Sequence, residues 1–349
     1  MTQYLSYILI YFLLSFFVAF GLFPLYIYLL QRLGIGQKIR EEAVDGKRAT
    51  IFAKLHDHKQ GIPALGGGMF LAVTALLVVV SIFIAKMWIT NNSLVSRQET
   101  YILLFGFFVM WLLGLVDDLF NYFGKGKVKW LTAKAKLAWM IIFAFFISRW
   151  FHFKLGFSSV NLWPLAWEVN LGIFYFFFTF LFTVALANAV NITDWLDGLA
   201  WGLSLFVLLV LAVYSFVAWW YLATTLIMVV AATVLAFLWF NIPPAKIFMG
   251  DSWALALWGL FATSMFLLDA RLPILVPSVF LLGIFWLELL TSFLQITRKK
   301  LFWKKLFPIA PFHHRLEYLG YPEYNIVGRM WLVQIVLSLI AILFLLYWI

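Results

Sequence analysis

Long apolar runs alternate with short polar segments along almost the whole chain. A helix that spans the hydrocarbon core of a bilayer needs about 20 predominantly apolar residues. Ten runs approach or exceed that length, and they predict a single all-α polytopic membrane domain, residues 1–349, with about ten transmembrane helices. The predicted spans are residues 5–30, 64–89, 100–116, 134–151, 171–187, 201–217, 219–239, 253–269, 273–296 and 328–348.

Composition supports an apolar exterior as well as an apolar core. Hydrophobic residues make up 65% of the chain and charged residues 11%, whereas soluble proteins carry about 25% charged residues. The chain has no cysteine, which excludes disulfides and cysteine-ligated metals. The first apolar run has neither a basic segment before it nor an Ala-x-Ala cleavage motif, so we expect a retained helix rather than a cleaved signal peptide.

Basic residues are distributed unevenly among the loops between the predicted helices. Ten crossings place both termini on one side, and the loops facing the other side carry all but five of the 25 basic residues. Loops rich in Lys and Arg stay on the cytoplasmic side of the membrane. The sequence therefore predicts that both termini face outward and that five loops are cytoplasmic. This arrangement explains the net charge of +10 without a nucleic-acid partner.

Five aspartates lie at the predicted cytoplasmic ends of helices, at a common depth. Carboxylates near the membrane core are costly and usually functional. Two of them are adjacent in sequence, and adjacent helical residues point about 100° apart. We therefore expect one of the pair to bind Mg²⁺, a hard ion that prefers carboxylate oxygen, and the other to orient a base, a lysine or the backbone. The alternative is a helix-end pair solvated by headgroups. The five are Asp117, Asp118, Asp194, Asp197 and Asp251.

Residues 188–200 place four polar side chains at intervals of three: Asn188, Asn191, Asp194 and Asp197. On a helix this spacing brings side chains onto one face. Such a face suits recognition of a polar ligand. Polar packing between membrane helices explains it equally well.

A second segment, residues 240–255, combines helix-breaking prolines with a glycine and an aspartate. Pro243 and Pro244 interrupt the helix, and Gly250 permits an unusual backbone angle. Asp251 then stands where an N-cap would stand. The segment is either a capped helix start or a metal carboxylate displayed on a tight turn.

Two further segments carry candidate phosphate ligands. His313 and His314 are suited to phosphate binding or to acid–base chemistry near neutral pH, although a pair of surface histidines is an equal alternative. Lys59 precedes Gly61, Pro63 and the glycines 66–68. A cation beside flexible backbone suits a phosphate site, but glycine is also common where membrane helices pack closely.

Taken together, these motifs resemble the polyprenyl-phosphate N-acetylhexosamine-1-phosphate transferases over essentially the whole chain. The histidine motif favours the branch that transfers phospho-N-acetylmuramoyl-pentapeptide. The matching motifs, in order, are the lysine motif KQGIPALGG at 59–67, the aspartate pair at 117–118, NAVNITDWLDGLA at 188–200, WFNIPPAKIFMGDSWALA at 239–256 and APFHHRLE at 310–317.

The resemblance implies a Mg²⁺-dependent reaction at the inner membrane of a bacterium, with the site on the cytoplasmic side. Undecaprenyl phosphate attacks the β-phosphate of UDP-MurNAc-pentapeptide, which forms lipid I for peptidoglycan synthesis and releases UMP. Asp117, Asp118 and Asp251 are the implied catalytic residues, with Asp251 and Asp117 as metal ligands. A homodimer in the lipid bilayer is the expected assembly. The implied substrate contacts are Lys59, Asn188, Asn191, Asp194, Asp197, Asn241, Phe248, His313 and His314.

Several residues depart from the family pattern. Ile62 and Ala64 replace two threonines of the lysine motif, and Arg315 replaces a third histidine. Six tryptophans stand where the pattern has glycine. An interfacial aromatic belt explains tryptophan near headgroups, but not its coincidence with glycine positions. We hypothesise that the source reads UGA as glycine and that the sequence renders these codons as tryptophan. The positions are Trp139, Trp195, Trp201, Trp253, Trp258 and Trp303.

Three other interpretations remain open. One is a transferase for UDP-GlcNAc or another UDP-HexNAc. Another is a transporter or flippase without chemistry, although transporters place ionisable residues near the membrane midplane and Glu288 is the main acidic residue predicted at that depth. The third is an inactive homologue, because Trp195 and Trp253 add bulk beside Asp194 and Asp251.

Overall fold

The computed structural model describes residues 2–36, 59–87, 93–123 and 133–349. Within these ranges the chain forms twelve α-helices, a short π-helical turn at Trp150–Lys154 and one β-hairpin. The predicted basic loops at 37–58 and 124–132 lie outside the described residues. The helices are α1 (Thr2–Arg32), α2 (Gly67–Lys86), α3 (Gln98–Phe123), α4 (Ala133–Arg149), α5 (Phe174–Thr193), α6 (Leu199–Val217), α7 (Tyr221–Asn241), α8 (Asp251–Asp269), α9 (Leu275–Leu281), α10 (Gly283–Phe302), α11 (Phe312–Tyr318) and α12 (Glu323–Trp348).

The described helices confirm the predicted all-α polytopic architecture. Nine of them are long and apolar enough to cross a membrane, and the pair α9–α10, bent by 75° at its break, supplies a tenth crossing if it is counted as one span. This bent pair occupies the predicted span 273–296. The sides on which the two termini lie stay predictions, because helix geometry alone does not orient the protein in a bilayer.

The centre of the helix bundle is formed by α6, α7 and α8. Between 67% and 94% of the apolar window of each of these helices is buried, whereas the figure is 28% for α1 and for α12. The peripheral helices therefore expose large apolar side chains such as Phe17 and Leu332. In a bilayer these side chains face lipid, which explains why the composition is apolar outside as well as inside.

Two glycines set the close contact between α3 and α8. A Cβ atom on Gly106 would lie 2.8 Å from the carbonyl oxygen of Gly259, and one on Gly259 would lie 2.2 Å from the carbonyl oxygen of Gly106. Small residues at such crossings let the backbones of membrane helices approach closely. The contact brings the end of α3, with Asp117 and Asp118, against the start of α8.

A β-hairpin between α4 and α5 was not predicted from the sequence. Its strands are β1 (Ser159–Leu162) and β2 (Ala166–Asn170), paired antiparallel. Asp269, at the end of α8, accepts a hydrogen bond from the backbone N–H of Asn161 at 3.0 Å. The hairpin therefore lies at the end of α8 opposite to Asp251, away from the predicted site.

Candidate active site

The lysine motif is joined to the loop before α8 by backbone hydrogen bonds. The N–H of Phe248 donates to the carbonyl of Pro63 at 2.7 Å, and the N–H groups of Gly66 and Gly67 donate to the carbonyls of Phe248 and Met249, both at 2.9 Å. Two motifs about 180 residues apart in sequence thus form one wall of the site. The glycines allow this contact, because a Cβ on Gly66 would lie 3.0 Å from the Phe248 carbonyl.

Asp118 fixes the start of α8. Its Oδ2 accepts a hydrogen bond from the backbone N–H of Ser252 at 3.0 Å, and its side chain is buried. Gly250 passes so close that a Cβ there would lie 2.6 Å from the same oxygen, and its φ of +86° is a left-handed value that favours glycine. The prediction that Gly250 takes an unusual backbone angle is confirmed.

The prediction of Asp251 as N-cap is wrong. Helix α8 begins at Asp251 itself. Its N-cap is Gly250, which has no side chain that could bond to the first turn. The carboxylate of Asp118, from another helix, satisfies one of the free N–H groups instead. Sequence could not show this, because the capping group comes from more than 130 residues away.

Asp117 points to a different partner from its neighbour. Its Oδ2 lies 2.5 Å from Nζ of Lys136, on α4, and the Asp117 side chain is almost completely buried. Sequence reasoning assigned no role to Lys136. The ion pair borders a small pocket with mainly apolar walls between α3, α4, α5 and α8, lined by Met110, Leu113, Asp117, Lys136, Trp139, Met140, Asn191 and Leu255.

The polar residues of 188–200 do not share one helical face as predicted. Helix α5 ends at Thr193 and α6 begins at Leu199, so Asp194 and Asp197 lie in the turn between them. Gly198 has a φ of +76° and provides the chain reversal. Within α5, Asn191 lines the pocket beside Asp117, whereas the side chain of Asn188 donates to the carbonyl of Val184 in its own helix.

Lys59 lies in a buried charge cluster. Its Nζ is 2.6 Å from Oδ1 of Asp197 and 2.6 Å from Oε1 of Glu323, and it lies 6.0 Å from the centroid of the Phe248 ring. Three predicted substrate-binding residues, Lys59, Asp197 and Phe248, are therefore neighbours. Glu323 was not predicted. Its sequence position, just after a proline at the start of α12, is typical of an ordinary first-turn glutamate.

Asn241 connects the turn before α6 to the loop before α8 through its amide group. Its Oδ1 accepts from the N–H of Gly198 at 2.9 Å, and its Nδ2 donates to the carbonyl of Ile247 at 2.8 Å. Both the oxygen and the nitrogen of the amide are therefore bonded to backbone groups. Asn241 holds the turn before α6 against the loop before α8, and its direct contact with substrate stays a prediction.

The two histidines differ in their surroundings. His313 is completely buried, with Nδ1 3.1 Å from Oε2 of Glu288, an ion-pair distance without hydrogen-bond geometry. His314 bonds through Nδ1 to Glu317 at 2.6 Å and packs edge-on against Trp195. The histidine motif therefore reaches the 188–200 motif through His314, while a direct ligand contact of His313 stays a prediction.

The chain is 34% identical over 329 residues to a phospho-N-acetylmuramoyl-pentapeptide-transferase of Clostridium perfringens strain 13, which covers 94% of this chain and 95% of the relative. Enzymes of the same name from Geobacillus thermodenitrificans and Staphylococcus aureus are 33% and 32% identical, and at least 94% of each chain is covered. The chain belongs to the phospho-N-acetylmuramoyl-pentapeptide-transferase family. Residues 100–269 also match the model described as glycosyl transferase family 4.

In this member of the phosphoglycosyl transferases, three of the tryptophans that the sequence analysis assigned to glycine positions of the family pattern are buried in the protein. Trp258 donates its indole N–H to the carbonyl of Thr183 at 2.6 Å, and Trp201 packs against Phe237. Trp253 lies 3.8 Å, ring centre to ring centre, from Phe70. Its indole N–H is buried and finds no acceptor in the described part of the chain.

Trp303 takes a backbone conformation that favours glycine. It follows the last turn of α10 with a φ of +57°, and it is 90% exposed. Helices commonly end on a glycine in this left-handed conformation, because a Cβ is disfavoured there. Trp219 also has a positive φ, of +65°. Trp139 lines the pocket beside Asp117.

The metal prediction rests on Asp117 and Asp251. The side chain of Asp251 lies outside what the structure describes. Among the described side chains, no three His, Asp or Glu are grouped closely enough to hold a metal ion. Mg²⁺ usually takes only one or two protein carboxylates, with water and substrate phosphates as its other ligands. The buried carboxylate of Asp117 borders a pocket that Leu255 of α8 also lines, and it is compatible with that chemistry.

Proposed function

We propose that the protein transfers phospho-MurNAc-pentapeptide from UDP-MurNAc-pentapeptide to undecaprenyl phosphate, forming lipid I and releasing UMP. The observation that carries the proposal is that two buried charged clusters both border the 248–252 segment, at one end of an apolar helix bundle. One cluster contains Asp117 and Lys136, and the other contains Lys59 and Asp197. Membership of the transferase family supports the same reaction. We place this end at the cytoplasmic face of the bacterial inner membrane, where the soluble nucleotide sugar meets the membrane-bound phosphate.

The pocket beside Asp117 suits the lipid acceptor. Its walls are mainly apolar, and the Asp117–Lys136 pair forms its polar border. A phosphate carried by a prenyl chain needs this combination of apolar wall and cation. Lys136 supplies the positive charge, and Asp117 is placed to accept a proton from the acceptor phosphate or to hold the metal ion. Phosphoryl transfer is mainly positioning and charge neutralisation, so few further groups are needed.

The cluster around Lys59 suits the nucleotide. Phe248 offers a half-buried aromatic ring, and stacking on such rings is a general way to bind a base. Asp197 accepts the N–H of Ala245 through its second oxygen at 3.2 Å, so its position is fixed as well as its charge. Asp194, at the C-terminal end of α5, and His314 lie on elements that border the same region.

We propose Mg²⁺ as the cofactor, held by Asp117 and Asp251 together with the diphosphate of the substrate. When bound, the ion would neutralise charge that develops on the transferred phosphoryl group and on the departing UMP. Asp118 has a different role in this proposal. It holds the 250–252 backbone, and therefore the position of Asp251, through its bond to Ser252.

The decisive experiment is an assay of UMP release by purified protein with undecaprenyl phosphate and UDP-MurNAc-pentapeptide. We expect Mg²⁺-dependent release that EDTA abolishes, and loss of at least about 100-fold in kcat for Asp117→Asn and for Asp251→Asn. Glu168→Gln, on the exposed hairpin strand, is the control and should behave as wild type. Release from UDP-GlcNAc alone would assign the alternative sugar, and no release from either donor would contradict the proposed function.

A further inference from the structure

Glu323 makes two short contacts that join distant parts of the chain. Its Oε1 lies 2.6 Å from Nζ of Lys59 and accepts the backbone N–H of Asp197 at 2.6 Å. The three residues come from the lysine motif, from the turn before α6 and from the first turn of α12. One carboxylate oxygen therefore connects three segments at the site.

The charge balance of this cluster shows that Glu323 is not an incidental surface residue. The side chains of Lys59 and Asp197 are 6% and 4% exposed, and that of Glu323 is 15% exposed. Burying two carboxylates beside a single ammonium group leaves an excess negative charge with little water to solvate it. A first-turn glutamate gains from the helix dipole while remaining in solvent. The helix dipole alone therefore does not explain why the Glu323 side chain points inward.

A second contact from the same helix supports a positioning role. The indole N–H of Trp331, two turns along α12, donates to the carbonyl of Gly198 at 3.2 Å. Helix α12 thus holds both sides of the 197–198 turn, through Glu323 on the N–H of Asp197 and through Trp331 on the next carbonyl. Gly198 needs its left-handed conformation for this turn, and the two contacts keep it there.

We propose that Glu323 is a positioning residue for the nucleotide subsite of this transferase. It orients the ammonium group of Lys59 towards the Phe248 ring and fixes Asp197, so that both groups meet the donor substrate in a preformed arrangement. This inference rests on the proposed function, because it assumes that the Lys59 cluster binds the nucleotide part of the donor. Glu323 itself touches neither the reacting phosphates nor the acceptor lipid.

Kinetics with each substrate varied separately will test the proposal. In Glu323→Gln we expect KM for the donor to rise about tenfold, because a charge-assisted hydrogen bond is replaced by a neutral one. KM for undecaprenyl phosphate should change less than twofold. Glu323→Asp keeps the charge but shortens the reach, and should recover part of the loss. Tyr324→Phe, at an exposed neighbour on the same helical turn, is the matched control and should match wild type.

Binding of UMP, measured by calorimetry on the detergent-solubilised full chain, gives a readout without turnover. We expect Glu323→Gln to weaken UMP binding in parallel with the donor KM. The double variant Lys59→Met/Glu323→Gln should weaken UMP binding by less than the sum of the two single changes, because Glu323 acts in part through Lys59. If Glu323→Gln lowers kcat and the melting temperature but changes neither KM value, the variant is generally destabilised and the proposal is overturned.

The outcomes also separate this inference from the proposed function. If wild-type protein releases UMP from UDP-MurNAc-pentapeptide while Glu323→Gln has unchanged donor KM and UMP affinity, then only the positioning role is wrong. If wild-type protein neither binds UMP nor releases it from any UDP-sugar, the proposed function fails, and the positioning proposal fails with it.

Discussion

The carboxylate of Asp118 accepts the backbone N–H of Ser252 at 3.0 Å, across the contact between α3 and α8. Its neighbour Asp117 pairs with Lys136 on α4 instead. Two adjacent aspartates thus face different helices. The Asp118 contact agrees with the expectation that one of the pair orients the backbone, and metal binding by the other stays a prediction.

Removing the Asp118 carboxylate should loosen the start of α8. We expect Asp118→Ala to lower the free energy of unfolding by about 1.5–3 kcal/mol, the usual contribution of a hydrogen bond to a charged group, and to abolish activity by displacing Asp251. Asp118→Asn retains an acceptor oxygen and should recover most of the stability. Thermal unfolding in detergent and UMP release measure the two effects. Equal stability of both variants with wild type would contradict the capping role.

The Lys136 side chain should be required for turnover more than for folding. In Lys136→Met the ion pair with the buried Asp117 is lost and the acceptor pocket loses its cation, so we expect kcat to fall at least about 100-fold. Lys136→Arg keeps the charge and should retain measurable activity. Lys154→Met, an exposed lysine beyond the other end of α4, serves as control. If Lys136→Met has the kcat of wild type, then Lys136 has no role in the reaction.

Glycine at position 303 should stabilise the protein. Trp303 holds a left-handed backbone conformation that costs a residue with a side chain about 1–2 kcal/mol, and its ring is almost fully exposed. Trp303→Gly should therefore raise the melting temperature. Leu301→Gly, two residues earlier within α10 and also exposed, should lower it, because glycine inside a helix is unfavourable. Opposite shifts of the melting temperature in the two variants would distinguish relief of backbone strain from the loss of a side chain.

Trp253 tests whether tryptophan is the native residue. If it is, Trp253→Gly empties a fully buried site and should cost about 3–5 kcal/mol of unfolding free energy. If the native residue is glycine, the variant should be at least as stable and should turn over faster when combined with Trp195→Gly. The gene offers an independent check. UGG codons at positions 195, 253 and 303 would refute the hypothesis that the source reads UGA as glycine.

Much of the fold follows from the length of the apolar runs. Nine predicted spans correspond to single helices, because a spanning segment must satisfy its backbone hydrogen bonds internally and must be apolar along its whole length. The bend of 75° between α9 and α10 was not predicted, since the predicted span 273–296 is mainly apolar on both sides of the break. The hairpin at 159–170 was missed because its stabilising contact, from Asp269, is distant in sequence.

The candidate site was predicted as motifs rather than as an arrangement. Lys59, Asp197 and Phe248 were named from the sequence and lie together in the structure. Lys136 and Glu323 were missed, because a lysine near a helix start and a glutamate after a proline are ordinary features of a membrane protein. Only their buried partners, Asp117 and Lys59, distinguish them.

By itself, the sequence determined that the chain is a bundle of about ten apolar helices with its candidate functional carboxylates at helix ends. Those features depend on residue type and spacing, which the physics of a bilayer constrains strongly. The tertiary structure alone decided which carboxylate meets which partner: Asp117 with Lys136, Asp118 with the Ser252 amide, and Glu323 with Lys59. Pairing depends on helix crossings such as that of Gly106 with Gly259, and local sequence does not encode which helices will cross.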